Sequence, residues 1–159
     1  MRFSFLLIFS LFFIFSCDDC FFSGCDNGNS GSSDSPPSVE EYFSFETSSI
    51  QMNYFFQHVT IDGMQIESVD WIGAFHNNTC VGSLKWGDCV GDGDWCDVNI
   101  MGYNPQNELT QDYIHDGDYP SFMIYDASSN QYFDAAPSIE VSFTGGALVQ
   151  IDSLSAFSD

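Results

Sequence analysis

Short apolar stretches separated by turn-forming residues run along the chain from residue 39 to its end. The clearest is 139–143, where Ile, Val and Phe alternate with polar residues before Gly145-Gly146 and a second apolar stretch at 148–151. A period of two is typical of a β-strand that buries one face. We therefore predict a β-hairpin here, with the alternate apolar residues of its first strand pointing inward.

The other apolar stretches predict further strands, several of them joined by hairpin turns. Asp62-Gly63, 76–78 and 128–130 carry Asp, Asn, Gly and Ser residues that favour tight turns. The remaining predicted strands are 42–45, 52–60, 69–75, 79–85, 98–101, 122–126 and 131–134. About eight or nine strands at this spacing are typical of an all-β fold, and we predict an antiparallel β-sandwich. Only 109–115 could form one short helix.

The N-terminal residues predict export from the cell. Arg2 is followed by an apolar run at 3–15 that carries no charge and is interrupted only by Ser4 and Ser10, and then by a small residue, Ser16, before Cys17. The run is too short to span a bilayer and is typical of a secretory signal. The predicted organisation is a signal peptide at 1–16, a lipid-anchored flexible tether at 17–38 and a β-sandwich domain at 39–159.

Cys17 is the predicted lipid-attachment site, because it follows Ser16 and precedes a stretch rich in Ser, Gly, Asp and Pro. Cys25 is an alternative, but it would place Asp18 and Asp19 inside the hydrophobic segment, where carboxylates are costly. An ordinary secretory signal, cut near Ser16 without lipid, is a second alternative. We expect a lipoprotein of the outer membrane or cell surface, with a secreted or periplasmic protein as the alternative.

Charge excludes several classes of partner. The chain has 2 Lys+Arg against 23 Asp+Glu and a formal net charge of -21, and Lys85 is the only cationic residue outside the signal. Nucleic-acid binding depends on several Lys and Arg residues at the phosphates, so a nucleic-acid partner is excluded. Anionic membrane surfaces are excluded for the same reason, which leaves the lipid anchor as the predicted membrane contact.

Two of the six cysteines predict a disulfide. Cys89 and Cys96 bracket a Gly-rich loop that can bring them within bonding range in an oxidising compartment. Cys80 lies in an apolar stretch and is predicted to be a buried thiol, whereas Cys20 and Cys25 could pair or stay free. A zinc site from His76, Cys80, Cys89 and Cys96 is disfavoured, because these four residues contain no close Cys or His pair with zinc-finger spacing and export favours the disulfide.

The same loop is a candidate calcium site. Four carboxylates share it, and intervening glycines let the backbone turn so that oxygen ligands converge. The candidate ligands are Asp88, Asp92, Asp94 and Asp97. The alternative is conformational, since Asp and Gly are also common turn formers. No cofactor other than Ca²⁺ is expected.

The sequence favours binding over catalysis. The three histidines are scattered, and no nucleophile elbow, HExxH or phosphate-binding glycine loop is present. The candidate ligand-binding residues are Trp86 and Trp95 beside the Gly-rich loop, and Tyr103 and Tyr119 at the ends of the second long loop, residues 102–118. The alternative for the two tryptophans is packing over the end of the sheet. Trp71, in an apolar stretch, is predicted to be core.

Four blocks of sequence carry a resemblance. They are DWIGAF at 70–75, CVG at 80–82, MG at 101–102 and GDYPSFMIYD at 117–126, with Trp86 between the second and third. Together they resemble an uncharacterised extracellular β-sandwich module that recurs in surface and secreted proteins of marine and Bacteroidetes-like bacteria. The resemblance implies an extracellular setting and a non-catalytic role. One departure is that Tyr103-Asn104-Pro105 follows the Met-Gly pair, where similar modules often carry acidic residues.

These observations together predict a cell-surface lipoprotein with a single non-catalytic binding module for an extracellular glycan or protein. The alternative is a structural component of a cell-surface or secretion assembly that engages its neighbours through sheet edges. An enzyme is not expected, because no catalytic constellation is recognisable.

Overall fold

A computed structural model describes residues 37–89 and 95–158. The predicted signal peptide, the tether up to residue 36, Cys17, Cys20 and Cys25 lie outside these residues. Asp92 and Asp94 of the predicted calcium site also lie outside them.

The described chain is mostly β-structure, as predicted. Its strands are β1 (Gln51–Ile61), β2 (Met64–Gln65), β3 (Trp71–His76), β4 (Thr79–Lys85), β5 (Cys96–Met101), β6 (Ser121–Asp126), β7 (Gln131–Pro137) and β8 (Leu148–Ala156). The helical elements are α1 (Val39–Tyr42) and two single 3₁₀ turns, Trp86–Asp88 and Glu108–Thr110. None of the helices among the described residues has the length and apolar character needed to cross a bilayer.

Two predicted strands do not form. The segment predicted as a strand at 42–45 begins instead in α1, where the Ser38 hydroxyl caps the helix by accepting the backbone N–H of Glu41 at 3.3 Å. The segment 139–143 is irregular, and Ile139 is exposed rather than buried. Its backbone bonds to a tyrosine hydroxyl and to a loop instead of to β8, so the predicted hairpin is wrong.

The strands form one mixed sheet in the order β2-β1-β8-β7-β6-β3-β4, and β5 pairs with β1 on the edge that β2 also uses. β1 and β8 run parallel, and the other pairs are antiparallel. The sheet curls into a half-barrel, so the prediction of an antiparallel sandwich is not confirmed. A parallel pair needs a long crossover, and local turn signals carry no information about such a pairing.

The curl brings the two long edge strands, β4 and β5, against each other. Gly82 of β4 lies so close to the backbone of β5 that a Cβ atom at this position would overlap the carbonyl of Asn99. The concave side of the sheet holds the main core. Its largest fully buried side chains include Tyr54, Phe56, Ile72, Ile100, Ile114, Ile124, Ile151 and Leu154.

A second, smaller apolar cluster lies on the convex side of the sheet. Phe43, just after α1, is buried there against Gly73 and Phe75, and its carbonyl accepts the Ser83 hydroxyl at 3.0 Å. Trp71 belongs to this cluster and is only partly buried. Trp71, predicted to be core, therefore packs against this second cluster and not against the main core, because β3 presents it to the outer face.

Candidate binding cleft

A cleft opens where β7 changes partners. Its first half pairs with β6 as far as Ala135, and its last three residues, Ala135–Pro137, pair with β8. A wedge is left between the start of β6 and the end of β7, with a cavity volume of about 320 Å³. This volume lies at the lower end of the about 300–1,000 Å³ that small-molecule sites occupy.

The floor and walls of the cleft are apolar and preformed. Buried Tyr54, Phe122 and Ile151 form the floor, and Pro120 and Pro137 line opposite sides. Proline has no backbone N–H, so neither of these residues can donate a hydrogen bond across the wedge. The missing donors favour an open wedge at this point.

The two rims of the cleft are joined by hydrogen bonds. The Phe143 N–H donates to the Asp118 carbonyl at 2.7 Å, and the Gly117 N–H donates to the Phe143 carbonyl at 2.9 Å. A carboxylate oxygen of Asp116 accepts the Gly145 N–H at 2.7 Å. The rim with Tyr119 is thus held in register with the rim that carries Glu140, which reduces the ordering cost of binding.

The groups that a ligand would meet are an aromatic ring and a carboxylate. Tyr119 is 61% exposed at the rim. Glu140 is exposed on the other rim. Ser121 also lines the cleft, but its hydroxyl donates to the Phe75 carbonyl at 3.4 Å. The lining residues include no Lys, Arg or His. The Tyr54 hydroxyl donates to the Val141 carbonyl at 3.0 Å, and burial raises the pKa of this tyrosine, so it stays a donor.

The predicted ligand-binding residues do not converge on this cleft. Tyr119 lines it. Trp86 packs against the main core, which agrees with the alternative interpretation of packing at the sheet end. Trp95 is partly buried beside Cys96, and Tyr103 stacks on His115 with a ring-centroid distance of 4.6 Å. The sequence does not point to Glu140, because the alternating pattern of segment 139–143 predicts a strand. Pro137 carries no sequence signal for a binding site.

The predicted disulfide is confirmed. Cys89 and Cys96 are bonded, with their Cα atoms 5.4 Å apart. Cys80 is a free and buried thiol, as predicted, and burial raises its pKa to about 11. This thiol therefore lacks the thiolate character that reactive cysteines have.

The calcium site stays a prediction. Asp88 lies exposed in a 3₁₀ turn, and Asp97 accepts a hydrogen bond from the Asn53 side chain at 3.2 Å. Within residues 37–89 and 95–158, no group of three or more His, Cys, Asp and Glu side chains is placed to hold a metal ion.

A second surface that sequence reasoning missed is a row of aromatic side chains on the outer face. Trp71, Tyr125 and Tyr132 occupy directly opposite positions on β3, β6 and β7. Residues that face each other on neighbouring strands project to the same side of a sheet. The ring centroids of Tyr125 and Tyr132 are 4.8 Å apart, and the ring centroids of Tyr42 and Tyr132 are 5.0 Å apart. We call these four residues the outer aromatic row.

Polar contacts hold the second long loop near the β3–β4 turn. The Nδ1 atom of His76 lies 3.1 Å from the Asp112 carbonyl, and its Nε2 atom lies 3.6 Å from a carboxylate oxygen of Asp118. His76 thus contacts Asp112 and Asp118 and links the β3–β4 turn to the loop that carries them.

No protein-family model, curated protein or solved structure matches this chain. The resemblance to an extracellular β-sandwich module therefore stays a prediction.

Proposed function

We propose that this chain is a non-catalytic binding module that holds one residue of an extracellular glycan in the cleft. The observation that carries the proposal is the position of Tyr119, an exposed aromatic ring at the rim of a preformed apolar wedge. The flat apolar face of a sugar ring packs on such a side chain. The Glu140 carboxylate would accept hydrogen bonds from its hydroxyl groups.

Export belongs to the same proposal. The predicted signal at 1–16 and the lipid attachment at Cys17 would place the module at the cell surface. The disulfide between Cys89 and Cys96 supports an oxidising compartment. The resemblance to extracellular modules is consistent with this setting. Membership of that group is part of what we propose.

A glycan array with the processed protein tests the proposal. Tyr119→Ala should weaken binding of any glycan that the wild type retains by about tenfold, which is the loss of one stacking contact. Tyr132→Ala removes an exposed tyrosine outside the cleft and is the matched control, so its binding should match that of the wild type. Retention of full affinity by Tyr119→Ala would remove the cleft as the binding site.

The alternative is a structural component of a cell-surface or secretion assembly. The observation that favours it is the outer aromatic row, in which Tyr42 is 39% and Tyr132 is 38% exposed. Partly exposed aromatic side chains are common anchors at protein interfaces. An array without hits, together with surface proteins that co-purify with the wild type but not with Tyr132→Ala, would support this alternative.

A further inference from the structure

Glu140 is the charged residue that lines the cleft, and it has no partner within the part of the chain that the structure describes. No Lys, Arg or His nitrogen there lies within 4.0 Å of its carboxylate, since the one such contact joins His76 and Asp118. No hydrogen bond to the Glu140 side chain is formed within that part either. Its two oxygens are therefore available to a ligand.

The surroundings of the cleft are also negative. The chain carries 23 Asp+Glu against 2 Lys+Arg, and the single lysine lies on another part of the sheet. Lys85 pairs across strands with Trp71 and so faces the outer side, while the cleft is lined from β1, β6, β7 and β8. No cation lines the cleft to attract an acidic sugar, and a carboxylate on the ligand would face Glu140 at short range.

We propose that the sugar residue bound in the cleft is an amino sugar with a free, protonated amine. Its ring stacks on Tyr119 and its ammonium group forms an ion pair with Glu140. This inference rests on the proposed function and names the ligand class for that cleft. A carboxylate and an aromatic ring on opposite rims suit a ligand that is apolar on one face and cationic at one edge.

The test is isothermal titration of the processed protein with three oligosaccharides of equal length. One is made of glucosamine, one of N-acetylglucosamine and one of galacturonate, at a pH where the free amine is protonated. We expect the glucosamine oligomer to bind at least about tenfold more tightly than the N-acetylated one in about 50 mM NaCl. The difference should shrink in about 500 mM NaCl, and the galacturonate oligomer should bind most weakly.

The Glu140→Gln variant distinguishes an ion pair formed by Glu140 from general attraction of a cationic ligand by the net negative charge of the protein. This variant should lose the preference for the free amine and keep the wild-type affinity for the N-acetylated oligomer. Asp152→Asn removes an exposed carboxylate outside the cleft and should keep the preference. A preference that survives in Glu140→Gln would overturn the inference, because it would then come from net charge alone.

The two proposals fail in different ways. Equal binding of the free and N-acetylated oligomers, still lost in Tyr119→Ala, overturns the amino-sugar inference and leaves the glycan cleft in place. Absence of binding for all three oligomers overturns the amino-sugar inference, and an array on which Tyr119→Ala loses no binding overturns the glycan cleft. Tight binding of an oligolysine peptide that Glu140→Gln abolishes would assign the cleft to a basic protein and overturn the inference.

Discussion

The Tyr54 hydroxyl donates a hydrogen bond to the Val141 carbonyl at 3.0 Å. Tyr54 belongs to the buried floor of the cleft, and Val141 is the neighbour of Glu140 on its rim. One bond therefore ties the core of the half-barrel to the irregular segment that presents the acidic side chain.

Removal of this hydroxyl should loosen the rim. Tyr54→Phe is expected to lower the free energy of unfolding by about 1 kcal/mol, because the Val141 carbonyl loses its partner in a partly buried place. Tyr125→Phe is the matched control, since its hydroxyl bonds the exposed Asn130 side chain at 2.8 Å and should contribute less than about 0.5 kcal/mol. Urea denaturation measures both, and equal losses would contradict the assignment.

Substitution of Asp70 should lower the free energy of unfolding more than substitution of an exposed carboxylate. It is 3% exposed, and its two oxygens accept the backbone N–H groups of Glu67 at 2.7 Å and Ala127 at 2.9 Å. Asp70→Ala leaves both donors without their partner, and we expect a loss of about 3 kcal/mol in the free energy of unfolding. Asp152→Ala, at an exposed position, should change it by less than about 0.5 kcal/mol. Similar losses in the two variants would contradict a stabilising role for the two hydrogen bonds that Asp70 accepts.

The contact between β4 and β5 depends on the absence of a side chain at Gly82. Gly82→Ala should cost about 2 kcal/mol or more, because its Cβ atom would overlap the Asn99 carbonyl. Gly63→Ala is the control for backbone strain alone: its φ is +78° and no atom lies within 4 Å of an added Cβ, so about 1 kcal/mol is expected. Thermal unfolding compares them, and faster hydrogen exchange in β5 should accompany only the Gly82 change.

The disulfide should stabilise the edge of the sheet. A short loop closed between Cys89 and Cys96 is expected to contribute about 2–3 kcal/mol on the chain-entropy model. The double variant Cys89→Ser/Cys96→Ser should therefore melt at a lower temperature than the wild type, and reductant should move the wild type toward it. A double variant as stable as the wild type would contradict this estimate.

Cys80 should resist alkylation in the folded protein. Because burial raises its pKa to about 11, only about one thiol in a thousand is ionised at pH 8, and the side chain is also shielded from reagent. Peptide mass mapping after iodoacetamide treatment should find Cys80 unmodified in the native state and modified after denaturation. Rapid native modification would show that the thiol is more accessible than its burial indicates.

Local features were predictable from the sequence. The three hairpins around Asp62-Gly63, 76–78 and 128–130 form as predicted, and Asp62, Asn77 and Asn130 have the positive φ values that such turns require. The disulfide was predictable because its cysteines are close along the chain. These features depend on neighbouring residues, so short windows of sequence contain the information.

The predictions for residues 139–143 and for Trp71 differ from the structure for another physical reason. Residues 139–143 alternate like a strand, yet the backbone bonds of this segment go to Tyr54 and to Gly117 and Asp118. Alternation of apolar and polar residues indicates which side chains face the core, but it does not indicate which segment the backbone pairs with. The sequence pattern also does not indicate that Trp71 lies on the outer face, because apolar groups can cover either face of a sheet.

The sequence by itself determined the β-rich character, most strand positions, the tight turns and the acidic surface, since each follows from residue type and short-range spacing. Only the tertiary structure decided that β1 and β8 run parallel, that the sheet curls until Gly82 meets Asn99, and that a cleft opens between two prolines. These outcomes depend on contacts between residues far apart in the chain. Such contacts are selected by packing and loop closure together, and no local pattern records them.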